Sequence, residues 1–243
     1  MTNCVFVILR SVQSEYFNNY WLECYKSLRK YYPDTDIKIV DNASNPEFLK
    51  CPFELERCEV IAAEFPQTRL YSPFYECLKL SGYDVAVIIH DGIIFNSHVD
   101  FTSVETAKFL WHFETHEYDN HALERRMIET MNRSSQLMQV YNSNAWYGCM
   151  GCLTAMNLNF LQKLQEKYTI TNLIPLVNNQ TDAIAFERVL AVLCYTEHPE
   201  LATDPSFEGD IRNMDWGYTW DDYIQNPRKQ EDKPFFKLFG ARR

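Results

Sequence analysis

Asp84-Val85-Ala86-Val87-Ile88-Ile89-His90-Asp91-Gly92 sets five consecutive apolar residues directly before two ionisable side chains and a glycine. A largely β-branched run without polar interruption reads as a central strand buried on both faces. Ionisable groups at the end of such a strand cost desolvation free energy unless they are paired or put to use. In an open α/β sheet, ligands sit beyond the carboxyl ends of the strands. Asp91 is therefore the leading functional candidate.

Outward from this strand, the first ninety residues alternate strand and helix. A strand is expected over 4–9. A helix follows over 14–31, with Tyr16, Phe17, Tyr20, Trp21, Cys24, Tyr25 and Leu28 at helical spacing and Pro33 shortly after its end. The strand over 36–40 closes in Asp41-Asn42-Ala43-Ser44-Asn45-Pro46, a strong turn signal. A third strand spans 59–63. A helix spans 72–80, with Ser72 as N-cap and Pro73 at its first position. Strands joined through helices imply a parallel sheet whose carboxyl ends share one edge. The expected class is α/β, a Rossmann-like, mostly parallel central sheet flanked by helices, with Arg10, Asp41 and Asp91 near a common rim.

The second half is less regular. Residues 105–144 are polar and helix-prone, with 123–139 expected as a surface helix or mobile lid. The segment 145–158 reads as a strand whose Gly148 and Gly151 let backbone approach a ligand closely. Helices are expected over 160–168 and 182–195, the latter capped near Thr181. No repeat or linker breaks the chain, so one domain spans 1–243: a nucleotide-binding half over 1–100, a helical and acceptor-side half over 101–225 and a tail over 226–243.

Composition narrows the function. The 243 residues are 46% hydrophobic, enough for a sizeable core, and carry a net charge of -10. That balance argues against general nucleic-acid binding, which needs a basic face, while leaving room for a small anion held by a few local cations. No segment approaches the ~20 apolar residues that span a bilayer. The run Val5-Phe6-Val7-Ile8-Leu9 lacks the basic flank and length of a signal sequence. The expected location is the cytoplasm, where the eight cysteines stay reduced. Cys149-x-x-Cys152 has no second pair and reads as packing. His112, His116 and His121, with Glu114 and Glu117, are a weak zinc pattern without a firm ligand set.

In order along the chain, Arg10-Ser11, Ile39-Val40-Asp41-Asn42-Ala43-Ser44, Ile88-Ile89-His90-Asp91-Gly92, the glycine-containing segment and the acidic helix around Thr181 resemble a GT-A-type glycosyltransferase. More narrowly, His90-Asp91-Gly92, Trp146-Tyr147-Gly148-Cys149-Met150-Gly151 and Lys237-Leu238-Phe239-Gly240-Ala241-Arg242 are similar to motifs in the compact glycosyltransferase-like proteins of large DNA viruses. A viral origin would put the protein in the host cytoplasm.

The resemblance implies transfer of a hexosyl or pentosyl group from a nucleotide-diphosphate sugar to an acceptor hydroxyl on a glycan or protein. It matches Arg10, Ser11 and Asp41 to the nucleoside, although Asp41-Asn42 also suits an Asx-type turn. It matches Asp91 to the acid that binds Mn²⁺ or Mg²⁺. The family's second acid is absent, and His90 either joins the metal or hydrogen-bonds Asp91. Lys237, Arg242 and Arg243 offer another neutralisation of the leaving diphosphate; the same aromatic-basic end also suits a disordered terminus, a partner or a peripheral membrane contact. Asp182 and Glu187 are candidate general bases, although the helix macrodipole alone explains Asp182 and an ion pair to Arg188 alone explains Glu187. The alternative is a catalytically inactive GT-A-like nucleotide-sugar-binding or interaction module.

Overall fold

Along β1 (Cys4–Arg10), Val5 and Val7 belong to one apolar cluster and Phe6 and Ile8 to another, and all four are at most 1% exposed. The computed structural model describes residues 2–114 and 119–240. After β1 come α1 (Glu15–Tyr31), β2 (Asp36–Asp41), β3 (Cys58–Ala62), α2 (Ser72–Cys77), β4 (Val85–His90), β5 (Ile93–Phe95), β6 (Ala107–Phe109) and β7 (His112–Phe113). The second half adds α3 (His121–Thr130), α4 (Ser134–Ser143), β8 (Gly148–Cys149), β9 (Thr154–Asn157), α5 (Leu158–Tyr168), α6 (Gln180–Glu197), α7 (Trp220–Gln225) and β10 (Phe235–Lys237).

The protein is α/β, with a mostly parallel six-stranded central sheet in the order β3-β2-β1-β4-β9-β6. β1, β2, β3 and β4 run parallel, and β9 is antiparallel to both β4 and β6. On one face, Val85, Val87 and Ile89 of β4 join Trp21, Cys24, Tyr25 and Leu28 of α1. On the other, Ala86 and Ile88 join Phe74 of α2, Leu161 and Leu164 of α5, and Phe186 and Val189 of α6. Burial from both sides is why β4 tolerates no polar residue before His90. The register Arg10↔Asp41 and Leu9↔His90 brings three strand ends to one edge.

Several local expectations change. The single helix or lid over 123–139 is two helices, broken at Arg133, whose φ of 54° lies in the left-handed region. Met127, Ile128, Leu137 and Tyr141 are buried in the core shared with α6, so these helices are packed rather than poised as a lid. The strand over 145–158 divides into β8, a 3₁₀ turn at Met150–Cys152 and β9. The cap of α6 is Asn179 rather than Thr181, its side chain accepting from the Asp182 N–H. Cys149 and Cys152 are free and at most 1% exposed. His112 lies on β7 and His121 at the start of α3, and His116 and Glu117 lie outside the described residues.

β10 pairs antiparallel with β5, placing Lys237 opposite Ile93 just beyond the Asp91-Gly92 corner. Phe235 and Phe236 are buried, so this part of the tail is a packed strand. Arg242 and Arg243 lie outside the described residues.

Candidate active site

β4 delivers His90 and Asp91 to the carboxyl edge of the sheet, and neighbouring backbone fixes them there. The Asp91 N–H donates to the Leu9 carbonyl at 3.0 Å, and the Asp91 carboxylate accepts from the Ser11 N–H at 3.3 Å. Both side chains are half-buried. Burial is the main cause that raises the Asp91 carboxyl to about 6, opposed by the Ser11 N–H and by the charges of Lys237 and Arg10.

The C-terminal segment closes over this corner. The Leu238 N–H donates to the Gly92 carbonyl at 2.8 Å, and the Tyr20 hydroxyl donates to the Phe239 carbonyl at 2.9 Å. Lys237 thereby holds its Nζ 3.4 Å from His90 Nδ1 and 3.9 Å from the Met150 sulfur. Burial pulls the ammonium down to about 8 although Glu187 and Asp91 favour it, so it stays largely charged at neutral pH. Burial, and then the Lys237 charge, push His90 well below its usual value. The ring is neutral, with a lone pair available to an ammonium donor.

Glu187 enters from α6. Its Oε1 accepts from the Gly151 N–H at 3.0 Å, and its Oε2 accepts from Arg188 at 3.1 Å. Burial raises it to about 7, against the pull of Arg188 and Lys237. Gly151 makes the approach feasible. Its φ is +59°, and a Cβ there would lie 3.0 Å from the His90 ring and 3.5 Å from Lys237 Nζ.

The structure thus brings Ser11, His90, Asp91, Glu187 and Lys237 together. Arg10 and Asp41 lie beside them as a strut, with Nε 2.7 Å from Oδ2. The other Asp41 oxygen accepts from the Ser44 N–H at 3.0 Å, and the Arg10 guanidinium stacks over Trp21 at 4.8 Å. Asp41 therefore organises its turn as well as pairing Arg10. Ser11 remains exposed at the rim. Asp182 is directed elsewhere: its carboxylate accepts from the Asn178 N–H at 2.9 Å and closes the start of α6. Five residues on an α-helix turn roughly 140° beyond one full circle, so Asp182 and Glu187 look different ways.

Between these groups and the C-terminal segment lies a cavity of about 280 Å³, with Phe17, Tyr20 and Phe239 as walls and His90, Asp91 and Lys237 at its polar end. Ligand pockets span roughly 300–1,000 Å³, so this one is near the lower end. A second cavity of about 50 Å³ lies between Trp111, Tyr218 and Phe236 and has no room for a sugar. Sequence reasoning missed the walls, because Phe17 and Tyr20 carry only the spacing of a packed helix face.

Acidic groups that could hold a metal occur among the described residues: His112 with Glu114 and Asp210, and Asp119 with His121 and Glu124. Arg212 already pairs with Glu114 and Asp210, and Arg188 with Asp119. Neither group contains Asp91. The Asp91 corner offers a single carboxylate, already engaged by the Ser11 N–H, and His90 Nδ1 faces the Lys237 ammonium. Mg²⁺ and Mn²⁺ take oxygen ligands, and one or two carboxylates hold them only when water and substrate phosphates supply the rest; an ammonium lining the same cavity opposes the ion by charge. This donor set does not fit a resident Mn²⁺ or Mg²⁺.

No family model matches the chain, and no curated protein matches it. Among the described residues, no helix is long and apolar enough to cross a membrane. The chain is similar to a solved structure of the galactosyltransferase LgtC in complex with donor and acceptor sugar analogues, at 10% identity and a TM-score of 0.46, covering 78% of this chain and 70% of that one. It is also similar to the structure of an active-site mutant of LgtC, at 11% identity and a TM-score of 0.45, with the same coverage. Both are partial likenesses of shape, and no activity follows from them.

Proposed function

We propose that the protein is a glycosyltransferase of the GT-A type that moves a hexosyl or pentosyl group from a nucleotide-diphosphate sugar to a hydroxyl of a glycan or protein acceptor. The observation that carries this reading is the cavity at the carboxyl end of β4, where Asp91 and Lys237 meet at its polar end and Glu187 stands behind them. Such convergence of ionisable groups with displaced pKa values in a cleft supports a site of chemistry. The order of sequence motifs supports the sugar-transfer class, and kinship with viral proteins rests on those motifs alone.

In this reading Ser11, with the Arg10–Asp41 strut behind it, receives the nucleoside. His90 and Lys237 face the diphosphate, joined by Arg242 from the tail motif. Asp91 steadies the positive charge that grows at the anomeric carbon. Glu187 takes the acceptor proton, its value of about 7 suiting a base at neutral pH; Asp182 is the second candidate for that role. The protein works in the cytoplasm, with any membrane contact peripheral.

The single carboxylate at the Asp91 corner favours a second reading, a nucleotide-sugar-binding module without catalysis. A thermal-shift series with nucleoside diphosphates, followed by nucleotide release from sugar donors, separates the two. Binding with turnover supports the enzyme, and binding without turnover across donors and acceptors supports the module. No shift with any nucleotide overturns both.

A further inference from the structure

We propose that Lys237 is the built-in cation of this site: it holds the donor's diphosphate and stabilises the leaving group, so that transfer proceeds without a divalent metal. The inference rests on the transferase reading and specifies how that site meets a phosphate.

Three observations carry it. The first is rigidity. Lys237 lies in β10, registered opposite Ile93, between the buried Phe236 and Leu238, and its successor is anchored to the Gly92 carbonyl. The ammonium is therefore presented from a paired strand, and little side-chain or backbone freedom remains to be lost when a ligand binds.

The second is availability. Arg10 is committed to Asp41, and Arg188 to Asp119 and Glu187. Lys237 has its closest polar contacts with neutral acceptors, His90 Nδ1 and the Met150 sulfur. An ammonium carries three N–H donors, so donors remain for phosphate oxygens entering from the cavity that Lys237 lines.

The third is charge. Two carboxylates, Glu187 and Asp91, favour the charged form of this ammonium against the burial that opposes it. Its presence also weighs against Mn²⁺ or Mg²⁺ at the Asp91 corner, because the ammonium lines the same cavity as Asp91 and repels a cation there.

In the transfer step the acceptor oxygen bonds to the anomeric carbon as its proton passes to a carboxylate. The bond from that carbon to the β-phosphate oxygen breaks, and its electron pair stays on the phosphate. The diphosphate gains one negative charge, which the ammonium meets directly.

The test uses the full chain, uridine diphosphate and guanosine diphosphate as probes, and three proteins: wild type, Lys237→Met and Lys237→Arg. Binding is followed by thermal shift and calorimetry in EDTA, then with added Mn²⁺ or Mg²⁺. The expected result is that wild type binds one of the nucleotides in EDTA, with less than a threefold gain from either metal. Lys237→Met should bind about 10- to 100-fold more weakly, the range for losing a charge-assisted hydrogen bond, and added metal should not restore it. Lys237→Arg should retain most of the affinity. Binding by wild type only with metal present overturns the proposal and leaves the transferase reading standing. Wild-type affinity in Lys237→Met does the same. Absence of binding to either nucleotide under every condition overturns both.

Discussion

The Gly92 carbonyl accepts the Leu238 N–H at 2.8 Å, and a Cβ at residue 92 would stand 2.7 Å from the Leu238 carbonyl oxygen. The corner that ends β4 and the strand that carries Lys237 are thus held together by backbone, across a spacing that a methyl group would fill. The site depends on this closure, because it sets where the ammonium stands relative to His90 and Asp91.

Gly92→Ala should therefore lower stability by about 1–3 kcal/mol, the usual cost of forcing an added methyl into packed structure. It should also displace β10. Chemical denaturation and hydrogen exchange at Phe236–Leu238 check this. An alanine variant with unchanged exchange in that segment would mean that the contact does not hold the strand.

Glu187 links the site to pH. Its folded value of about 7 lies above its ordinary 4.5. The folded state therefore binds more protons than the unfolded chain between those values, and stability falls as pH rises through that window. Asp91 acts in the same sense from 3.8 to about 6, whereas Lys237, lowered from 10.5 to about 8, restores stability as pH rises from about 8. The groups facing Glu187 are Arg188 on its own helix, the Gly151 N–H and Lys237 from β10. Glu187→Gln should remove its share, raising the melting temperature at pH 7.5 by roughly 2–4 °C, which is about 1 kcal/mol for a chain of this size, while abolishing transfer. Melting curves from pH 5 to 8 decide the matter. A variant that melts lower than wild type at pH 7.5 would contradict the assignment.

The Arg10–Asp41 strut predicts a stability effect distinct from any binding effect. Arg10 is 5% exposed and its partner carboxylate is also largely shielded. Arg10→Met leaves that carboxylate without its cation, at a cost of about 3 kcal/mol. Arg10→Met with Asp41→Asn should recover part of the loss. Urea midpoints of the two variants measure this, and a single variant within about 0.5 kcal/mol of wild type would show that the pair is energetically idle.

Much of this was legible from local pattern. β4 announced itself because both of its faces are buried, and α1 because its aromatic residues recur at helical spacing. The turn after β2 was marked by its Asp-Asn-Ala-Ser-Asn-Pro chemistry. Asp91, Glu187 and Lys237 could be named individually, but their meeting could not, since it joins β4, α6 and β10 through pairing across more than a hundred residues. Phe235 and Phe236 are buried in β10, and local pattern does not say that their strand pairs with β5. The break between α3 and α4 carries no glycine or proline, and the left-handed conformation of Arg133 has no signal in its residue type. Asp182 and Glu187 are both candidates on one acidic helix, and the bond from the Asn178 N–H to Asp182, together with their angular separation around α6, distinguishes them.

The most direct measurement is the rate of nucleoside diphosphate release from a panel of nucleotide sugars, compared between wild type and Asp91→Asn. Wild type should release nucleotide from at least one donor. Asp91→Asn should be about 100-fold slower, with a cooperative melting transition retained. Equal rates in the two proteins, or no release by wild type from any donor in the panel, would contradict the account.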